Sequence, residues 1–464
     1  MANNAVFEMT FNSGASAYSF TALPGDSLDV GSGGIINLSG IEQNFVAETN
    51  DAGQSGVFGF GGFSAGSAGD EVMFTLQGAR LSAAFGGAVY FSGEGGNAGS
   101  AILHNLGGAV SGALGGFIDF SGHSNAANST IINESGQVSG ASGGWTLFEN
   151  GNPSAANATI IGNGGAVSGA GGGLISFYNS GQAGSATLIA NGGLNGATGA
   201  TIFFRDATDG GTARVEVFGN GNLDLRQHNA QPPMTIGSLE GDGVVFLNQH
   251  SLTIGGNSLS TSFSGVIQGD GSVIKAGTGT LTFSGENLYS GGTTVTQGAL
   301  IVSNSTGSGT GTGAVNVNAG TLGGSGIIAG AVTVGTGSGT GAFLAPATGG
   351  KKQLTLPIQS ALTFKADATY TYTFKAKQSK ARTDKVIANG VTINSGAMLS
   401  LSGRTQGSLR QDLTLTLISN TSPNPISGTF SNLSDGAIVT VNGNNFQASY
   451  EGDDGNDLTL TVVP

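Results

Sequence analysis

The chain has 464 residues, of which 86 are Gly, 9 Pro and none Cys, and its net charge is −13. Single cores stop growing at roughly 250–300 residues, so several domains or one long repeat are expected; 25 Phe and 38% hydrophobic residues argue against disorder, and the scarcity of Pro excludes collagen. The lack of Cys removes disulfides and Cys-ligated zinc, and the acidic balance argues against nucleic acid, whose phosphates need a basic face.

The start, MANNAVFEMTF, has neither the basic nor the apolar region of a secretion signal, so a trimmed signal is one expectation and a cytoplasmic chain the other. No run approaches the roughly 18 apolar residues of a spanning helix. Residues 1–60 show no repeat and are expected to form an N-terminal cap or irregular first coils.

Residues 61–230 repeat. Segments 97–122, 128–151, 157–181 and 185–206 align, with a weaker fifth copy at 212–225. Ile102, Ile131, Ile160 and Leu188 mark one column, Val110, Val138, Val167 and Leu194 a second, and Phe120, Phe148, Phe177 and Phe204 a third. Met73, Leu81 and Phe91 extend the three columns backwards. The spacing is about 28 residues, with three short β-runs joined by Gly-rich corners. One such unit cannot bury its apolar face, but stacked units can. The expected fold is all-β, a right-handed parallel β-helix (β-solenoid) with coils of about 28 residues. The three columns would be internal ladders, and Gly would turn the corners with positive φ where needed. For Trp145 and the Phe series, core filling is the expectation and an exposed ladder for stacking sugars the alternative.

At 226–235 the repeat stops and Pro232-Pro233 marks a boundary. Segment 231–347 then has a different coil. Ile274, Lys275, Gly277, Gly279, Thr280, Leu281, Phe283, Ser284, Gly285, Asn287, Tyr289, Gly291, Gly292, Thr293, Val295, Gly298 and Leu300 stand in one register. This pattern resembles the autotransporter-associated β-strand repeat of passenger domains in bacterial surface proteins. The resemblance implies further solenoid coils and an extracellular or cell-surface location. Leu281, Phe283, Val295, Leu300 and Val302 are the expected inward positions, and Asn287 and Tyr289 would tie a corner or stack on the next coil.

Residues 348–464 alternate apolar and polar in runs such as ALTFKADATYTYTFKAK, as half-exposed strands do. This is the expected β-rich C-terminal segment. Its end, SYEGDDGNDLTLTVVP, resembles the stretch that precedes a Pro-Glu-Pro type sorting tail, and no translocator barrel is expected in it. Eight of the 15 basic residues lie between Lys351 and Lys385. A solvated face is the ordinary explanation; a docking strip for an anionic surface is the sharper one.

Chemistry-bearing constellations are few. GFSAG (62–66) and GASGG (140–144) fit the nucleophile-elbow pattern, but such matches arise by chance in a Gly- and Ser-rich chain without a helix to follow. GDDGNDLTL (452–460) echoes a calcium nonapeptide, yet one copy cannot complete a site that lies between successive turns. His104, His123, His228 and His250 lack zinc spacing, so no metal and no cofactor are expected. The densest charge cluster is Arg205, Asp206, Asp209, Arg214, Glu216, Asp224, Arg226 and His228. A surface ion-pair patch is the ordinary reading. If the chain is an enzyme, Asp206, Asp209, Glu216 and Asp224, with Arg205, Arg214 and Arg226, are the group to test, because glycosidase chemistry needs two carboxyls about 5–10 Å apart.

The expected function is therefore a non-enzymatic extracellular or cell-surface scaffold or adhesin-like solenoid. A polysaccharide hydrolase or lyase on a β-helix is the first alternative, and a glycan-binding module the second. Extracellular polysaccharide, a cell-envelope surface or a second copy of the chain are the partners considered.

Overall fold

The computed structural model describes residues 3–61, 66–229, 233–348 and 352–464. Every regular element among them is a β-strand. The elbow-like GFSAG, Pro232 and Lys351 fall wholly or largely outside the described residues. The chain divides into two compact units, Met1–His250 and Ser251–Pro464, so the unit boundary lies beyond the Pro-Pro step.

The first unit is a stack of coils carrying two parallel sheets. In one sheet Ala88–Phe91, Phe117–Ser121, Trp145–Glu149, Leu174–Phe177 and Thr201–Phe204 pair in succession. In the other, Val72–Leu76, Ile102–Asn105, Thr130–Asn133, Thr159–Gly162, Thr187–Ala190 and Arg214–Val217 do the same. A third line of single bridges joins Asn97, Asn125, Ser154, Gln182 and Asp209. Residues 3–60 already form coils: Asn3–Phe11 pairs with Ser27–Asn37, with a register shift between Val6 and Glu8, and Ser19–Ala22 pairs with Gln43–Ala47. Coil length shortens along the unit. Trp145 pairs with Leu174, 29 residues on, whereas Thr201 pairs with Asn222, 21 residues on.

Phe91, Phe120, Phe148, Phe177 and Phe204 are fully buried and stack face to face. Their centroids are 4.6–4.9 Å apart and their planes within 9°, the spacing that neighbouring strands impose. Two other expected columns need correction. Leu103, not Ile102, pairs with Ile131 and is buried, so the inner row is Leu103, Ile131, Ile160 and Leu188. Ile102 pairs with Met73 and Thr130 on the outer side. Val110, Val138, Val167, Leu194 and Leu81 are not internal: all are exposed. Val110, Val138 and Val167 each stand in a bend just before a Ser-Gly turn, where one apolar residue has no strand alternation to turn it inward. Inside the coil, Asn105 Nδ2 instead donates to Asn133 Oδ1 (2.6 Å), and Asn133 Nδ2 to the Leu174 carbonyl (2.9 Å).

Glycine is needed at the corners for two reasons. Gly140 adopts φ +76°, where side chains are strained. At Gly143 an added Cβ would collide with the carbonyl of Gly172 in the next coil. Close backbone approach, beyond positive φ alone, sets the Gly content.

The second unit has a parallel sheet running from Leu252–Ile254 through Val273–Lys275, Thr293–Val295, Val315–Val317, Val332–Val334 and Leu362–Phe364 to Val391–Ile393. A second parallel ladder contains Thr280–Phe283, Ala299–Val302 and Gly320–Gly324. Leu281, Phe283, Val295, Leu300 and Val302 all face inward and are buried, as expected. Asn287 ties three coils: its Oδ1 accepts from the Ile267 amide (2.8 Å) and its Nδ2 donates to the Gly309 carbonyl (2.7 Å). Buried Lys275 donates from Nζ to the carbonyls of Ala276, Gly277 and Gln297 at 2.6, 2.8 and 3.2 Å. The unit ends in antiparallel strands, Thr414–Asn420, Asp457–Val463, Asn444–Gly452 and Ile438–Val441.

Candidate functional site: an outward aromatic and charged face

Strand alternation that sends Ile118 and Phe120 inward sends Phe117, Asp119 and Ser121 outward. Because the strands are parallel and in register, their outward residues form rows across coils. One edge row is Phe117, Trp145, Leu174 and Thr201; the middle row is Tyr90, Asp119, Leu147, Ser176, Phe203 and Asp224. Trp145 is thus not a core residue. It is half-buried on the outer face, 5.2 Å from the Phe117 ring, and its Nε1 donates to Ser176 Oγ (3.0 Å). Tyr90, 39% exposed, meets Phe117 edge-on at 5.9 Å.

Asp119 lies against this aromatic platform. It is 9% exposed, and its Oδ1 has no hydrogen-bond partner among the described residues. Burial pushes its carboxyl up to about 6, the charge of Glu149 adds to the rise, and a Ser121 hydrogen bond opposes it. Glu149 stands one coil on and two residues beyond the register partner of Asp119. Strand spacing of about 4.8 Å and a rise of about 3.3 Å per residue place the two Cα atoms roughly 8 Å apart. The face continues through Tyr178, which feels the charges of Arg205 and Glu149. The Arg205 guanidinium lies 4.7 Å from the Tyr178 ring centroid and 4.9 Å from that of Phe203. Arg226 covers Phe246 at 4.6 Å and pairs with Asp224 at 2.7 Å. Phe203, Arg205, Asp224, Arg226 and Gln227 line a cleft of about 440 Å³.

The seven residues singled out from the sequence do not form one cluster. Arg205, Asp224 and Arg226 gather on this face. Arg214 and Glu216 lie on the other sheet, where Arg214 bonds Glu240 at 2.7 and 2.8 Å and approaches Glu216 at 3.1 Å. Asp206 and Asp209 serve turns: Asp206 Oδ2 accepts from the Asn179 amide and Asp209 Oδ1 from that of Gly211. Asp119 and Glu149 were missed, because neither lies in a dense run of charges and 30 residues separate them in sequence.

The remaining motifs have structural roles. GASGG forms a corner with no helix after it. Asp453–Asn456 make the turn of the last hairpin, and Asp457 accepts from the Asn420 amide. His104 meets Glu134 at 2.9 Å, His123 meets Glu94 at 3.4 Å, and His228 packs edge-on to His250. No group of three or more metal-ligating side chains occurs among the described residues.

Two comparisons with known proteins bear on this chain. Residues 273–302 match the Passenger-associated-transport-repeat family, which places a passenger-type repeat in the second unit. The crystal structure of the Haemophilus influenzae Hap adhesin aligns over 100% of this chain and 63% of that one, at 12% identity and a TM-score of 0.32. At that level the likeness carries no argument about function. No curated protein matches.

Proposed function

We propose that this chain is a passenger-type β-solenoid displayed at the cell surface or outside the cell, adhesin-like in action, which holds glycan chains along the outward face of its first unit. The passenger-type repeat supports the location. The observation that carries the binding role is the outward cluster of Tyr90, Phe117 and Trp145, beside an inner Phe stack that already fills the core. Sugar rings pack their apolar faces on such aromatic planes, and Arg205 and Glu149 supply hydrogen-bonding groups at the margin. Many weak contacts along successive coils give avidity to a binder of a repeating polymer.

Trp145 is the only Trp in the chain, so its fluorescence reports this face directly. Titration with oligosaccharides from a glycan screen should change its emission. Trp145→Ala with Phe117→Ala should abolish retention on the same insoluble polysaccharide while leaving the fold intact. Retention unchanged in the double variant would refute the assignment. Digestion of intact producing cells with protease should remove the protein.

A second reading, glycoside hydrolysis, is favoured by the Asp119–Glu149 pair. A carboxyl raised to about 6 suits a general acid, and Glu149 is the neighbouring carboxylate whose charge it feels. Released oligosaccharides would select this reading over binding alone.

A further inference from the structure

A separate site lies in the second unit, where the acidic chain gathers its cations. Strand Ala368–Lys377 is flanked by Lys380–Thr383, antiparallel, and by Met398–Gln406, parallel. Its inner face is apolar: Phe374 and Ala376 are buried, and Phe374 packs on Phe446 at 5.5 Å. The outer face carries like charges in register. Arg382, Lys375 and Arg404 stand side by side across the three strands, and Lys380, Lys377 and Gln406 form the next row. These six residues line an open cleft of about 930 Å³.

Like charges directly opposite on a sheet repel, and sheets ordinarily place opposite charges or neutral residues there. Among the described residues Lys377, Lys380, Arg382 and Arg404 form no ion pair. Asp384 feels the charge of Lys375. Its buried carboxylate also accepts from the amides of Leu354 and Thr373 and the Thr373 hydroxyl, at 2.8–3.0 Å, and offsets part of that charge. Lys377, Lys380, Arg382 and Arg404 are not offset by an ion pair among the described residues, and a bound polyanion would relieve the repulsion between them. Across the row the cations repeat at the strand spacing of about 4.8 Å, which is comparable to the length of one sugar ring. Arginine at both ends of the row offers forked donors that match a carboxylate.

The geometry points to this cleft as a binding site for an acidic polysaccharide with a carboxylate on each sugar, a polyuronate. The site is independent of the aromatic face in the first unit. Calorimetric titration of the full chain with oligogalacturonate should show binding that weakens between about 50 and 500 mM salt. The same oligomer with its carboxyls reduced should not bind. The variant Lys377→Gln, Lys380→Gln, Arg382→Gln, Arg404→Gln should lose about thirtyfold in affinity, as the loss of four exposed ion pairs would give. It should melt no lower than the parent, since removing the charges removes repulsion. Trp145→Ala should leave this binding unchanged. The proposal is overturned by unaltered binding in the fourfold variant, by equal binding of the neutral oligomer, or by loss of binding in Trp145→Ala. Binding to phosphatidylserine vesicles with none to oligogalacturonate also overturns it.

Discussion

Asp119 shows how one residue couples the face to pH. Its carboxyl is raised to about 6 in the fold, above the value of about 3.9 for an exposed aspartate. The folded state therefore holds a proton that the unfolded state has released between those two values, and stability falls as pH rises through that window. Above it the charged, buried carboxylate costs at most about 3 kcal/mol. Asp119→Asn should raise the melting temperature at pH 7–8 and leave it unchanged near pH 3. An equal effect at both would place the carboxyl in water. If the chain hydrolyses glycans, the same variant should abolish turnover while Asp206→Asn, Glu216→Gln, Asp224→Asn together leave it intact. Lys275 is the converse case. Burial pushes its ammonium down to about 8, while three carbonyls accept its protons. Lys275→Met removes the donors and leaves those acceptors unpaired. It should destabilise the second unit by about 2–4 kcal/mol, read as a lower denaturant midpoint.

At the scale of the element, the coil is governed by what lies in the next coil. The Phe stack was legible because a buried strand position must repeat as one residue type at one period. The Val column was misleading for the same reason: it repeats as regularly, but in a bend, where no alternation assigns a side. The Ile column slipped by one residue at its first member, since ILHN offers two adjacent apolar residues and only pairing decides which is inner. Gly143→Ala tests the role of close approach. With the Gly172 carbonyl in the way on the next coil, the added methyl must push two coils apart. The substitution should cost about 1–3 kcal/mol, the range of overpacking in a tight site. Thermal unfolding with no change would show that the corner can relax.

For the molecule as a whole, each unit uses its coils differently. The first sets an aromatic and charged face on one sheet, and the second a basic row near its end, although net charge is −13. The passenger-type repeat itself, residues 273–302, contributes no such face. Its Lys, Asn and Tyr side chains bond within the unit, as a structural coil requires. The sequence alone determined the all-β solenoid, the coil period, the inner Phe stack and the passenger-type repeat, because burial demands like residues at fixed intervals. Only the tertiary structure decided that Trp145 faces out, that Asp119 feels the charge of Glu149, that Arg205 parts from Arg214, and that three cations stand in one row. Outward positions need satisfy no periodic rule, and their neighbours are set by strand register, which brings together residues some 30 positions apart.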